Sequence, residues 1–166
     1  MRLSCCVALI AFMPTILDAQ VLNGDEQFPV VNQIRWDMSR DAIIKVCAAN
    51  NLSTSENDTM LTFDAKFFGA EAKSVVRFKN RAQQPWGINV KFKELTEKLL
   101  ESLVDHFTRT TGESPLKAEK EKNLLLITMR MEITAWKTKT EKITIMVGRR
   151  NKAIFDINLS ITPILR

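Results

Sequence analysis

The sequence has few of the residues that build metal centres. One His and three Cys in 166 residues leave few imidazole or thiolate ligands. Five Gly and five Pro exclude a collagen-like chain or flexible low-complexity material. Lys and Arg number 24 against 19 Asp and Glu, a net charge of +5 that is well below the charge density of a dedicated nucleic-acid binder. Hydrophobic residues make up 45% of the chain, which is enough for one packed domain.

The first 19 residues have the layout of a secretory signal peptide. Arg2 gives a short positive region, residues 3–17 are mainly apolar, and Ala19 is a small residue suited to cleavage. The apolar stretch is shorter than the about 20 residues that a membrane span needs. Cleavage after Ala19 leaves Cys47 as the single thiol, so an internal disulfide is excluded. We predict an exported protein, periplasmic or extracellular, with no transmembrane segment in the mature chain.

Hydrophobic periodicity predicts two helices, each followed by three strands. Ser39 is an N-cap for the first helix, and the second covers about residues 94–111 with Gly112 after its end. Strands are predicted at about residues 60–68, 72–79, 86–93, 124–136, 140–147 and 153–161. The remaining stretches are predicted to be an extended lead-in with a short strand near Phe28 and two polar loops, at residues 20–33, 53–58 and 117–122.

These elements predict an α+β fold. Residues 20–166 form one domain in which two helices pack on one face of a mostly antiparallel sheet, leaving the other face in contact with water. The repeated order of elements indicates two tandem α–β–β–β units, at residues 34–93 and 94–162.

Period-two alternation gathers positive charge on the second and third strands. Trp86, Ile88, Val90 and Phe92 are predicted to face the core. The side chains that then point outward form a basic hairpin, made of Lys73, Arg77, Lys79, Lys91 and Lys93. Such a face attracts phosphate-rich headgroups or an acidic protein, or else only keeps the sheet soluble. Export disfavours nucleic acid as a ligand.

A second candidate surface lies on the strands near the end of the chain. If Met129, Met131, Ile133 and Ala135 face the core, then Arg130 and Trp136 face outward beside Lys142 and Met146 of the next strand. A large aromatic and a Met among short polar side chains are typical of protein-binding faces. A bulge would reverse this parity and bury Trp136, and both alternatives stay open.

No catalytic arrangement is evident. His106 is predicted to be a boundary residue of the second helix, and Cys47 falls on the apolar face of the first helix as a small packing residue. Glu132 and Asp156 lie in strands, with nothing nearby that marks an acid/base pair. Phosphate-binding loops, dinucleotide fingerprints, zinc spacings and calcium loops are missing. We predict a protein that is not an enzyme and needs no cofactor or metal.

A pattern common in small exported bacterial proteins runs over residues 34–43, which read Ile-Arg-Trp-Asp-Met-Ser-Arg-Asp-Ala-Ile. It resembles the start of the first helix in SmpA/OmlA-like outer-membrane assembly lipoproteins, and it is similar to the tandem modules of β-lactamase inhibitor proteins. Asp37 stands where the pattern has Gly, and no lipid-anchor Cys ends the apolar stretch. The resemblance implies a module that binds other proteins and transfers no functional residue.

We therefore expect a non-catalytic binding protein that contacts another envelope or secreted protein through the exposed sheet face. The alternative is a carrier of a small ligand or lipid in a crevice between helices and sheet. In that case the cations receive an anionic head, and an anionic lipid is the ligand class to test.

Overall fold

The computed structural model describes residues 27–79, 84–124 and 127–164, and the proposed signal peptide lies outside them. Within this part of the chain the fold is mixed α/β and mostly sheet. A 3₁₀ turn at Val31–Gln33 precedes the two helices, α1 (Arg40–Ala49) and α2 (Glu97–Thr111). The strands are β1 (Thr54–Glu56), β2 (Met60–Phe67), β3 (Ala70–Phe78), β4 (Pro85–Phe92), β5 (Leu116–Leu124), β6 (Ile127–Lys137), β7 (Glu141–Arg150) and β8 (Ala153–Pro163).

The described strands form one antiparallel sheet in the order β1-β2-β3-β4-β8-β7-β6-β5. The strands that follow α1 are neighbours, and so are those that follow α2. The two groups join where β4 pairs with β8, with Ile88 opposite Ile161 and Lys91 opposite Asn158. Strands distant in sequence therefore meet in the middle of the sheet, while β1 and β5 form its edges.

The buried apolar strand residues fall on one face of the sheet, which we call the core face. The cross-strand pairs Val76–Ile88, Ile88–Ile161 and Ile161–Ile143 show the row continuing from β3 to β7. The helix residues in the same buried cluster are Ile43, Cys47, Leu99, Leu103 and Phe107. The opposite side, the open face, carries the alternate residues of each strand, as expected from the pleat.

The helix ends follow the capping rules. Ser39 Oγ accepts from the Ala42 N–H at 3.3 Å, and Thr96 Oγ1 accepts from the Leu99 N–H at 3.2 Å. Gly112 ends α2 with φ 67°, a left-handed conformation that favours glycine. The prediction for α1 is confirmed, whereas α2 begins at Glu97 rather than near residue 94, because Thr96 provides the cap.

Two predicted loops contain strands, so each helix is followed by four strands rather than three. The loop at residues 53–58 contains β1, and the charged segment 117–122 is the middle of β5. The charged run is extended because it pairs with β6, and its alternating Lys and Glu side chains resist pairing of this edge with other chains. The lead-in strand near Phe28 is also wrong: Phe28, Val30 and Val31 are buried beside a 3₁₀ turn.

Candidate binding surfaces on the open face

The basic hairpin lies on the open face, as predicted. Lys73, Arg77 and Lys91 are on this face of β3 and β4, with Lys73 directly opposite Lys91. Lys79 and Lys93 are exposed just beyond the ends of the two strands. Period-two alternation was sufficient to place these side chains.

Acidic residues from neighbouring strands balance much of this charge. Lys93 Nζ lies 3.4 Å from Glu71 Oε2 and 3.7 Å from Asp64 Oδ1. Lys91 Nζ lies 3.4 Å from Asp156 Oδ1, which comes from β8. Asp64 is also directly opposite Lys73 across β2 and β3. The hairpin is therefore part of a mixed-charge surface and not an isolated positive patch.

Trp86 does not follow the predicted parity. The register between β3 and β4 shifts at Arg77 and Phe78, where Phe78 is opposite Pro85. This bulge releases Trp86 from the alternation, and 43% of its surface is exposed. Trp86 lines a shallow depression of about 320 Å³ together with Met60, Arg77 and Lys79.

Of the two alternatives left open for Trp136, the structure shows the buried one, and it places Arg130 on the core face rather than outward. Trp136 is opposite Ile143 on the core face and is 1% exposed. Its indole Nε1 donates to Thr108 Oγ1 at 3.3 Å, and its ring centroid lies 5.7 Å from that of Phe107. The large ring packs against α2 because no other residue type in β6 buries as much apolar area.

Arg130 shares the core-face parity with Trp136, at the other end of β6. Its Nε lies 3.0 Å from Glu119 Oε1 and its Nη2 2.9 Å from Glu121 Oε2, so it is engaged by β5. Lys142 and Met146 lie on the open face as predicted, opposite Lys137 and Ile133. Two of the four proposed contact residues at this end of the sheet are therefore retained.

Because Trp136 faces the core, the alternate residues of β6, Met129, Met131, Ile133 and Ala135, lie on the open face. Met131 and Phe155 are each 47% exposed, and Leu116 is 73% exposed. The apolar patch consists of Leu116, Ala118, Met129, Met131, Ile133, Ala135, Met146 and Phe155. Alternation along β6 identifies this patch once the face of Trp136 is known.

On the core face, Arg149 joins α2 to the sheet. Its guanidinium donates to both carboxylate oxygens of Glu97, with Nη2 2.9 Å from Oε2, and its Nε donates to Glu132 Oε1 at 2.8 Å. The hydrogen bond from Arg149 lowers the pKa of Glu97, and the carboxylates raise the pKa of Arg149. This group is a structural ion-pair cluster of one guanidinium and two carboxylates.

A crevice of about 600 Å³ lies between α2 and the strands β5 and β6. Leu100, Val104 and Val147 give it an apolar side. Its charged lining is mainly acidic and consists of Glu101, Asp105, Glu119, Glu132 and Lys117. The basic hairpin lies on the open face, so its cations do not line this crevice.

Cys47 and His106 occupy the positions predicted for them. Cys47 is fully buried in α1, and burial raises the pKa of its thiol to about 11. His106 is half-buried on α2 with its ring centroid 5.2 Å from that of Phe68. Across the described ranges, no group of three or more His, Cys, Asp or Glu residues is arranged to hold a metal ion.

Comparisons with protein-family models, curated proteins and solved structures found no significant match. In the part of the chain that the structure describes, neither helix has the length and apolar character needed to cross a membrane.

Proposed function

We propose that this chain is an exported, non-catalytic binding protein that contacts a protein partner through the open face of its sheet. The observation that carries the proposal is the apolar patch on β5 to β8. Large side chains such as Met131, Phe155 and Leu116 lie on strands of the sheet and are exposed to water. Contiguous exposed apolar surface on a folded chain commonly marks an interaction site.

We further propose that both helices pack on the core face and that the chain is built from two tandem α–β–β–β–β units. Supporting contacts come from both ends of the sheet. Trp36, just before α1, donates from Nε1 to Glu141 Oε1 of β7 at 2.8 Å, and Arg149 of β7 binds Glu97 of α2. This arrangement leaves the open face free for a partner, and it agrees with the resemblance of residues 34–43 to protein-binding modules.

A non-catalytic role is supported by the state of the titratable groups that lie close together. Glu97, Glu119, Glu121 and Glu132 are held in ion pairs by Arg130 or Arg149, and the hydrogen bond from Arg149 lowers the pKa of Glu97. The Cys47 thiol is buried and neutral at physiological pH. Export is supported by the layout of the first 19 residues.

The test is an affinity capture from an envelope and secreted-protein extract, with the protein expressed from the full chain as bait. Wild type is compared with Met131→Ser/Phe155→Ser, which removes two apolar contacts from the patch. The matched control is Met60→Ser/Trp86→Ser, two exposed apolar residues on the open face near β2 and β4. We expect one stoichiometric protein that is lost with the patch variant and kept with the control. Capture that is identical for all three baits contradicts the proposal.

The second candidate is a carrier, favoured by the crevice of about 600 Å³ between α2 and the strands β5 and β6. A ligand there would be amphipathic with a cationic head, because Glu101, Asp105 and Glu119 line the opening. Mass spectrometry of organic extracts from the purified protein tests this function. A stoichiometric small molecule that disappears with Val104→Trp supports it, whereas an empty protein rejects it.

A further inference from the structure

The apolar patch has a defined shape because strand register sets its rows. Ala118, Ile133 and Met146 form one row across three strands, and Lys120, Met131 and Gly148 form the next. From Leu116 to Lys122 there are six residue-to-residue steps along β5, or roughly 20 Å at ~3.4 Å per step. Three to four strands at ~4.8 Å spacing give a width of about 15 Å.

Two local features place the Phe155 ring on the apolar patch. A register shift leaves Phe155 between Ile154, opposite Arg149, and Asp156, opposite Gly148. A Cβ on Gly148 would lie only 2.7 Å from the Phe155 ring, so the ring covers the strand at the one position without a side chain. An aromatic ring held against a strand, with 47% of its surface exposed, is suited to be an anchor for a ligand.

Positive charges lie at both ends of the patch. Lys120, Lys122 and Arg150 lie at one end, and Lys137 and Lys142 at the other. Among the described residues, none of these five cations forms an ion pair with a carboxylate. The open-face carboxylate of β8, Asp156, is already beside Lys91. A binding partner complementary to this surface has an apolar stripe with carboxylates at both ends.

We propose that the apolar patch binds an acidic amphipathic helix of the partner protein. This inference rests on the proposed function and adds the chemistry of the partner. About 14 residues of helix span the ~20 Å length of the patch, and a helix of about 10 Å diameter fits its width. Met129, Met131 and Met146 suit this task because unbranched thioether side chains adapt to an apolar stripe.

A helix fits this surface better than an anionic membrane does. A membrane would meet the whole open face, including Asp64 and Glu71, which repel anionic headgroups. A helix meets only the patch and its terminal cations. The cations increase the rate of association and make it depend on salt, while the apolar contacts supply the residence time.

The probe is a synthetic helical peptide of about 14 residues with a Leu stripe and Glu at both ends. The first control peptide replaces each Glu with Lys, and the second keeps every Glu but scrambles the Leu stripe. Binding is measured by fluorescence anisotropy at low and high salt. We expect binding of the acidic amphipathic peptide alone, weakened by salt.

Variants then assign the binding to the patch. Met131→Ser/Phe155→Ser should weaken binding at least about tenfold by removing the anchor. Lys120→Glu/Lys142→Glu should weaken it about tenfold at low salt, because two attractions become repulsions. Lys66→Glu/Lys73→Glu makes the same charge change on the other half of the open face and should have a several-fold smaller effect. Circular dichroism and thermal unfolding verify that each variant is folded.

Equal binding of the acidic and basic peptides overturns the inference, as does equal loss in the Lys66/Lys73 control. Absence of peptide binding together with binding to phosphatidylserine vesicles also overturns it, in favour of a membrane. The affinity capture distinguishes failure of this inference from failure of the proposed function. A captured protein that is lost with Met131→Ser/Phe155→Ser, while no acidic peptide binds, retains the proposed function and rejects the acidic helix.

Discussion

The two halves of the open face belong to one sheet and differ in how their charges are matched. On β2 to β4, Lys93 is within 4 Å of Asp64 and Glu71, and the large exposed apolar residues are Met60 and Trp86. On β5 to β8, the cations such as Lys120 and Lys142 surround exposed Met and Phe side chains. A matched surface is satisfied by water and its own ion pairs. An apolar surface with unmatched cations gains free energy when a complementary partner covers it.

The largest predicted effect tests which face of β6 is buried. Trp136→Ala should lower the free energy of unfolding by about 3–5 kcal/mol, because it empties a site packed against Phe107. Met131→Ala, five positions earlier on the open face, should cost less than about 1 kcal/mol. Urea unfolding measures both. Similar costs for the two variants would contradict the assigned parity.

The next effect compares two glycines of the open face. Gly148→Ala places a Cβ 2.7 Å from the Phe155 ring and should cost about 1 kcal/mol as the ring moves away. Adding Phe155→Ala should remove this cost. Gly87→Ala, in the charge-matched half, meets Thr162 Cγ2 at an ordinary 3.5 Å and serves as the control. Thermal unfolding of wild type, the two single glycine variants and the double variant measures these costs. No difference between the glycines would mean that Phe155 is not held over β7.

A smaller effect separates two adjacent arginines on opposite faces. Arg149 lowers the pKa of Glu97, so this pair contributes stability above the unfolded pKa near 4.5 and loses it as pH falls through the lower folded value. Because Glu97 is mostly exposed, we expect less than about 1 kcal/mol. Urea midpoints at about pH 6 and about pH 3 should converge between wild type and Glu97→Gln in acid. Arg150→Gln should leave the pH dependence unchanged.

The smallest effect compares one matched and one unmatched lysine. Lys93→Ala should cost about 0.5 kcal/mol or less, a loss that salt reduces, because its pairs with Asp64 and Glu71 are exposed. Lys120→Ala should be neutral or slightly stabilising, because it relieves repulsion among the patch cations. Thermal unfolding at two salt concentrations measures both. A larger loss for Lys120 than for Lys93 would show that the patch cations are paired in solution.

Most of the fold was predictable where one side of an element is clearly apolar. The Ser39 cap and the buried pair Ile43 and Cys47 located α1, and the Leu99, Leu103 and Phe107 stripe located α2. Alternation placed Ile88, Val90 and Phe92 in the core. β1 and β5 were missed because both sequences are mostly polar or charged. Their extended form comes from pairing with β2 and β6, which local sequence does not encode.

The candidate site was harder to predict because β6 is apolar on both faces. Met129, Met131 and Ile133 alternate as a core row would, and only Trp136 argues for the other parity. That choice is made by contacts distant in sequence, with Thr108, Phe107 and Ile143. The prediction for Trp86 also failed, because a bulge opposite Arg77 and Phe78 interrupts the alternation.

Binding of an acidic helix to the apolar patch can be followed with the methionines as reporters. Methyl-labelled Met129, Met131 and Met146 lie in the apolar patch, whereas Met60 lies on the charge-matched half and Met38 packs against the core. The acidic amphipathic peptide should shift or broaden the three patch methyl signals in NMR spectra and leave those of Met60 and Met38 in place. Shifts at Met60 equal to those at Met131, or no shift at any patch methyl, would contradict the account.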